Sequence, residues 1–185
     1  HGISELMQEN FKFNVLIVVC HPDDEALWIG GTLHALSQFP QLNTNVICLS
    51  GIDAGSQRVE EFECAKAVAG YNGGIVLGGK LRAALQPLPP VGETLEQGLQ
   101  ELKMKPNDIS VLITHSPYGD EHMHPHHRQA SDELYSWAEE NGVPFGYFSC
   151  LPIAFGRLRP ILKNLRREGS LQVLNVSRCE EGLWL

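Results

Sequence analysis

Two clusters of potential metal ligands lie about a hundred residues apart, His21-Pro22-Asp23-Asp24-Glu25 and His124-Pro125-His126-His127. Imidazole and carboxylate groups are the usual ligands of a catalytic zinc, which takes three from the protein and leaves a position for water or substrate. His21 and Asp24, three residues apart across a strand-to-helix turn, can converge on one point. His127 completes the triangle if the strand expected over Ile109–His115 lies beside the first strand. His124 and His127, three apart at a helix start, can face the same side. Asp23 is then left over, and a carboxylate that neighbours an activated water without ligating the metal suits a general base. Each cluster alone has a plainer explanation, since two aspartates can cap a helix and a histidine run can be solvated. Joined at the carboxyl end of a buried strand, they point to a site.

The elements that must carry these residues follow from the hydrophobic pattern. Apolar runs at Asn14–Cys20, Asn45–Ser50, Gly74–Leu77, Ile109–His115 and Phe145–Cys150 alternate with stretches of helical period. That rhythm predicts an α/β protein, a Rossmann-like three-layer sandwich with a mostly parallel central sheet flanked by helices. The unbroken run Val15–Val19 is what a strand buried on both faces looks like. A helix is expected from about Asp24, with Ala26, Leu27, Ile29, Leu33 and Leu36 inward and Gly30-Gly31 as a point of weakness. A second is expected from Ser56 to Gly70 and a third over Leu95–Met104, ahead of Pro106. A further helix starts near Pro125, a residue suited to a first turn. Residues 78–90 read as a surface loop, Ile161–Glu168 as a short helix and Leu171–Ser177 as a last strand.

At 185 residues and 43% apolar composition, the chain fits one domain over 1–185. A net charge of −8 argues against nucleic acid as the main partner. The one basic stretch, Arg157, Arg159, Lys163, Arg166 and Arg167, reads as a solvated helix face. The five cysteines, Cys20, Cys48, Cys64, Cys150 and Cys179, are odd in number and widely spaced, which suits buried thiols better than bridges. No apolar stretch approaches the length of a membrane span and no N-terminal signal pattern is visible, so the expected location is the cytoplasm.

In its His-Pro-Asp-Asp-Glu and His-Pro-x-His motifs the chain resembles the LmbE-like or PIG-L-like family of zinc-dependent N-deacetylases. The resemblance extends to Arg58 and Glu61, like the family's Arg-x-x-Glu pair, and to Thr114-His115-Ser116-Pro117-Tyr118-Gly119, and it covers roughly Asn14 to Asn141. It implies a hydrolase that removes the acetyl group from an N-acetylglucosamine-type small molecule, with Zn2+, or Fe2+ in similar ligands, held by His21, Asp24 and His127. Asp23 would be the general base, and His124 would stabilise the tetrahedral intermediate or shuttle a proton. Arg58, His122 and Tyr118 would contact substrate.

The chain departs from the family pattern at two positions. His126 stands where relatives commonly have Asp, which leaves His124 without its usual carboxylate unless Asp120 or Glu121 substitutes. His122-Met123 stands where many have Tyr-Gly, although His122 can still donate to an oxyanion. His126, next to a ligand, is expected to point away from the metal. The alternatives are an amidase for another N-acyl or thiol-conjugate amide, and a metal-binding member without hydrolytic activity. Retention of Asp23 speaks against the latter, because a structural zinc site fills all four positions and needs no spare carboxylate. A nucleotide-binding domain fits worse still, since two carboxylates replace the glycine-rich turn that would receive a pyrophosphate.

Overall fold

The central sheet has five strands in the order β3-β2-β1-β4-β5, all parallel, in a computed structural model that describes residues 13–51, 57–78, 86–119 and 123–148. The strands are β1 (Phe13–Val19), β2 (Leu42–Cys48), β3 (Gly73–Val76), β4 (Val111–His115) and β5 (Phe145–Phe148). Between them run α1 (Asp24–Leu27), α2 (Gly30–Ser37), α3 (Gln57–Ala69), α4 (Val91–Glu101) and α5 (Pro125–Asn141), with a single 3-10 turn at Pro106–Asp108 before β4.

β1 is buried on both faces, which explains its continuous apolar run. Leu16, Val18 and Cys20 join one core with Leu95 and Leu99 of α4 and Ala130, Leu134, Trp137 and Ala138 of α5. Val15, Ile17 and Val19 join the other, with Ile29, Leu33 and Phe62 from the helices on the opposite side. Alternation along one strand thus feeds two helical layers, the three-layer sandwich that the sequence pattern predicts.

Strand order reverses at β1, whose neighbours are β2 on one side and β4 on the other. In such sheets the crevice beyond the strand ends at the reversal is where ligands bind. Both clusters meet there, because β1 leads into His21 and β4, ending at His115, leads into α5. Three contacts tie this end together. Thr114 Oγ1 donates to Val18 O at 2.7 Å, Ser50 Oγ donates to Cys20 O, and Cys20 Sγ donates to His126 O at 3.4 Å.

Several boundaries differ from the sequence expectation. The first helix is two pieces, broken at Trp28-Ile29, just before the weak glycine pair. The break resets the helical phase, so Ile29 and Leu33 are buried as expected while Ala26 and Leu27 are exposed rather than inward. α3 ends before Gly70 as expected; its proposed cap, Ser56, lies outside the described residues. α4 begins at Val91, four residues earlier than expected, and ends at Glu101. Its early turns pack on the core through Val91, Thr94 and Leu95, and Lys103 (φ 55°) turns the chain away. Cys20 and Cys48 are buried, but Cys64 is exposed on α3. The helix and strand expected after residue 150, with Cys150 and Cys179, lie outside the described residues.

Gly51, just past β2, has no room for a side chain: a Cβ there would lie 2.1 Å from Leu77 O and 2.6 Å from Gly78 O. Both obstacles are backbone and cannot rotate away. Gly51→Ala should therefore destabilise the protein by about 1–3 kcal/mol in a denaturant titration, as overpacking does. An unchanged midpoint would show that the close approach of these segments does not hold the β2 end.

Candidate metal centre

Asp24 is the hub of the site. It sits in the first turn of α1, 3% exposed, yet its side chain folds back onto the turn instead of capping the helix. Asp24 Oδ2 accepts the His21 N–H at 2.8 Å and lies 3.2 Å from Cys20 N, while Oδ1 accepts from Trp28 Nε1 at 3.1 Å. Three imidazoles surround the same Oδ2: His127 Nε2 at 3.2 Å, His21 Nδ1 at 3.3 Å and His115 Nε2 at 3.4 Å. Burial alone would push this carboxyl up, but hydrogen bonds to His115, His127 and His21 win and hold it far below the usual carboxylate range.

His21, Asp24 and His127, the residues whose spacing suggests a triangle, converge. His127 Nε2 and His21 Nδ1 are 3.4 Å apart, so each of the three separations lies between 3.2 and 3.4 Å. Ligands at about 2.0–2.2 Å from one tetrahedral ion stand about 3.3–3.6 Å apart, so this donor set fits a zinc-sized cation.

His115 was not among the expected site residues. It ends β4 and stacks on His127 with ring centroids 3.8 Å apart, and its Nε2 lies 3.2 Å from Cys20 N. Burial lowers its pKa despite Asp24, so the ring is neutral at physiological pH. The signal that could have found it was its place at the end of the strand adjoining β1. Cys20, also close to Asp24, is a poor ligand candidate: burial pushes its thiol up, and Sγ is committed to His126 O.

Asp23 precedes α1 and makes no side-chain cap either, so simple helix capping accounts for neither aspartate. Asp23 Oδ2 instead receives Arg58 Nη1 from α3. The side chains are 46% and 39% exposed, so the pair is worth little as a stabilising contact and acts mainly to orient the carboxylate. Arg58, expected to touch substrate, here touches the expected base.

His124 is the N-cap of α5. Its Nδ1 accepts the His126 N–H at 3.2 Å, and its ring centroid lies 4.7 Å from that of His127 and 4.9 Å from that of His21. With Nδ1 accepting, the neutral ring carries its hydrogen on Nε2. Tyr118 is exposed in the turn after β4. His122, with Asp120 and Glu121, lies outside the described residues.

His126, expected to point away from the metal, meets His21 on the nitrogen that faces away from Asp24 and His127. It is buried at 1% exposure and belongs to the cluster, with Nδ1 2.9 Å from His21 Nε2 and Nε2 2.7 Å from Gln86 O. It faces the outer edge of His21 instead of leaving the site, because the first turn of α5 directs both His126 and His127 inward.

Three solved deacetylases share the fold. A deacetylase of the teicoplanin biosynthesis pathway, complexed with teicoplanin, matches 71% of this chain over 68% of its own, with a TM-score of 0.54 and 16% identity. The N,N'-diacetylchitobiose deacetylase of Pyrococcus horikoshii, complexed with the inhibitor MPG, matches 96% of this chain over 83% of its own, with a TM-score of 0.54 and 16% identity. The A40926 pseudoaglycone deacetylase Dbv21 matches 79% of this chain over 66% of its own, with a TM-score of 0.56 and 20% identity. No family model and no curated protein matches the sequence.

Glu25, 1% exposed, completes the acidic run, and its Oε2 has no hydrogen-bond partner among the described residues. Burial, helped by the charges of Asp24 and Asp23, raises it from 4.5 to about 7. Because the folded state holds this proton more tightly, the stabilisation is complete below the unfolded value and is lost as pH rises through about 7. In metal-free protein, Glu25→Gln should therefore gain stability over wild type by up to about 3 kcal/mol between pH 4.5 and 8, read by denaturation at each pH. A constant difference across that range would show Glu25 to be ionised in the fold.

Proposed function

We propose that the protein is a metal-dependent N-deacetylase of the LmbE-like or PIG-L-like type, acting on an N-acetylglucosamine-type small molecule. The observation that carries this is the convergence of His21 Nδ1, Asp24 Oδ2 and His127 Nε2 to within 3.4 Å of one another, with the spare carboxylate of Asp23 alongside in sequence. The fold shared with three deacetylases supports the hydrolytic reading. The ligands are His21, Asp24 and His127, the ion is Zn2+ in preference to Fe2+, and its chemistry is to polarise the amide carbonyl and lower the pKa of a water.

The chain's own groups do the rest. Asp23 takes the proton of the attacking water and returns it to the departing amine, leaving acetate and a free amino sugar. Arg58 orients Asp23 before substrate arrives. His124, its Nδ1 engaged by the His126 N–H, offers Nε2–H to the oxygen on which charge develops. His122 and Tyr118 belong to the substrate side of the proposal. A net charge of −8 disfavours nucleic acid as a partner. No helix among the described residues is long and apolar enough to cross a membrane. A cytoplasmic location completes the proposal.

Zinc-loaded protein should release acetate from at least one member of a panel of N-acetylated sugars and sugar conjugates, and a chelator should abolish release. No acetate from any member would overturn the deacetylase. Asp23→Ala should lower turnover by about 100-fold or more while zinc stoichiometry stays at the wild-type value. Loss of zinc in that variant would move Asp23 from base to ligand.

A further inference from the structure

Asp24 has two side-chain oxygens, and the fold gives them different partners. Oδ2 is the one that meets His21 Nδ1, His127 Nε2 and the His21 N–H. Oδ1 accepts from Trp28 Nε1 at 3.1 Å. An indole N–H can only donate, so the direction of that bond is fixed by the chemistry of the pair: Trp28 gives the hydrogen and Asp24 receives it.

The shape of α1 explains why Trp28 reaches this oxygen. The helix is a single turn, and Trp28 closes it, its backbone N–H donating to Asp24 O at 2.9 Å. Four residues apart, the two side chains share one face. Ile29 then leaves the helical conformation at φ −135° and is 4% exposed, in one core with Leu33, Phe62 and the β1 side chains. The indole thus stands between a hydrogen-bonded turn and a buried anchor.

The last torsion of an aspartate is broad and two-fold, so a carboxylate held at one oxygen alone can rock and present its second oxygen as well. We propose that Trp28 is a positioning residue whose indole N–H holds Asp24 Oδ1 back, so that a metal ion at His21, Asp24 and His127 is gripped through Oδ2 alone. The proposal rests on the assignment of those three residues as ligands. Removing a hydrogen-bond partner of a ligating side chain typically costs about 10–100-fold in metal affinity. A second carboxylate oxygen closes a strained four-membered ring with the ion and returns little of that loss, whereas the ordering of a loosened carboxylate becomes a cost of binding.

Zinc titration against a competing chelator reads the affinity, and the visible absorption of Co2+-loaded protein reads the number of ligand atoms. Trp28→Phe deletes the N–H and should weaken zinc binding by about 10–100-fold. Its Co2+ bands should also be weaker than those of wild type, because these bands lose intensity when a further oxygen joins the ion. A tryptophan that merely filled space would change the denaturation midpoint and leave the Co2+ bands alone. An unchanged Co2+ spectrum in folded Trp28→Phe overturns the proposal, and so does a wild-type zinc affinity. If Trp28→Phe does not fold, replacing the Trp28 indole with benzothiophene keeps the ring shape, removes the same N–H and is read in the same two ways. Wild-type protein that binds neither Zn2+ nor Co2+ overturns the ligand assignment itself, an outcome distinct from one in which metal binds and Trp28 has no effect on it.

Discussion

A buried carboxylate is tolerable only when its charge is answered, and Asp24 is the buried charge around which this fold is arranged. Two backbone N–H groups of the β1–α1 turn, the Trp28 indole and three imidazoles all address it. They come from the turn after β1, the residue after α1, the end of β4 and the first turn of α5, so its burial is possible only when all four are in place. Removing it would leave a set of donors and imidazoles with nothing to meet.

The same arrangement would suit a cation, which carries the positive charge that the neutral donors around Asp24 lack. His115 is kept neutral by burial and contributes no such charge. Hydrogen bonding from the backbone holds the anion in the apo protein, and a divalent ion bound by the three converging atoms would answer it more fully. This separates the site from a set of ordinary buried ion pairs, where each charge already has its opposite.

Arg58 and His126 illustrate how the surroundings assign work to residues. Arg58 resembles a substrate contact by motif, but α3 carries it to Asp23, where it orients a carboxylate that would otherwise swing in solvent. His126 replaces the carboxylate expected at its position, and in doing so pairs with His21 instead of serving His124. His124 is held by a backbone N–H from its own helix turn. His126 thus contacts His21 and Gln86 while His21, Asp24 and His127 still converge.

Much of this was determined locally by the sequence. A β-branched apolar run announces a strand buried twice over, Pro125 announces a helix start, and His-Pro-Asp-Asp is chemically distinctive wherever it occurs. Those properties belong to adjacent residues, so the strands, most helices and the three converging side chains were legible. What could not be read is which atoms face each other across the sheet. His115 looked like the end of a strand until β1 and β4 paired and brought it under Asp24. Leu27 fitted an apolar helical stripe until the break at Trp28 turned it to solvent. That His126 would be buried against His21 and Gln86 O was likewise invisible, because both partners are distant in the chain. The residue types and their spacing define the candidate chemistry; strand order and helix packing decide which atoms meet, because a partner such as the carbonyl beside His126 lies 40 residues away in the chain.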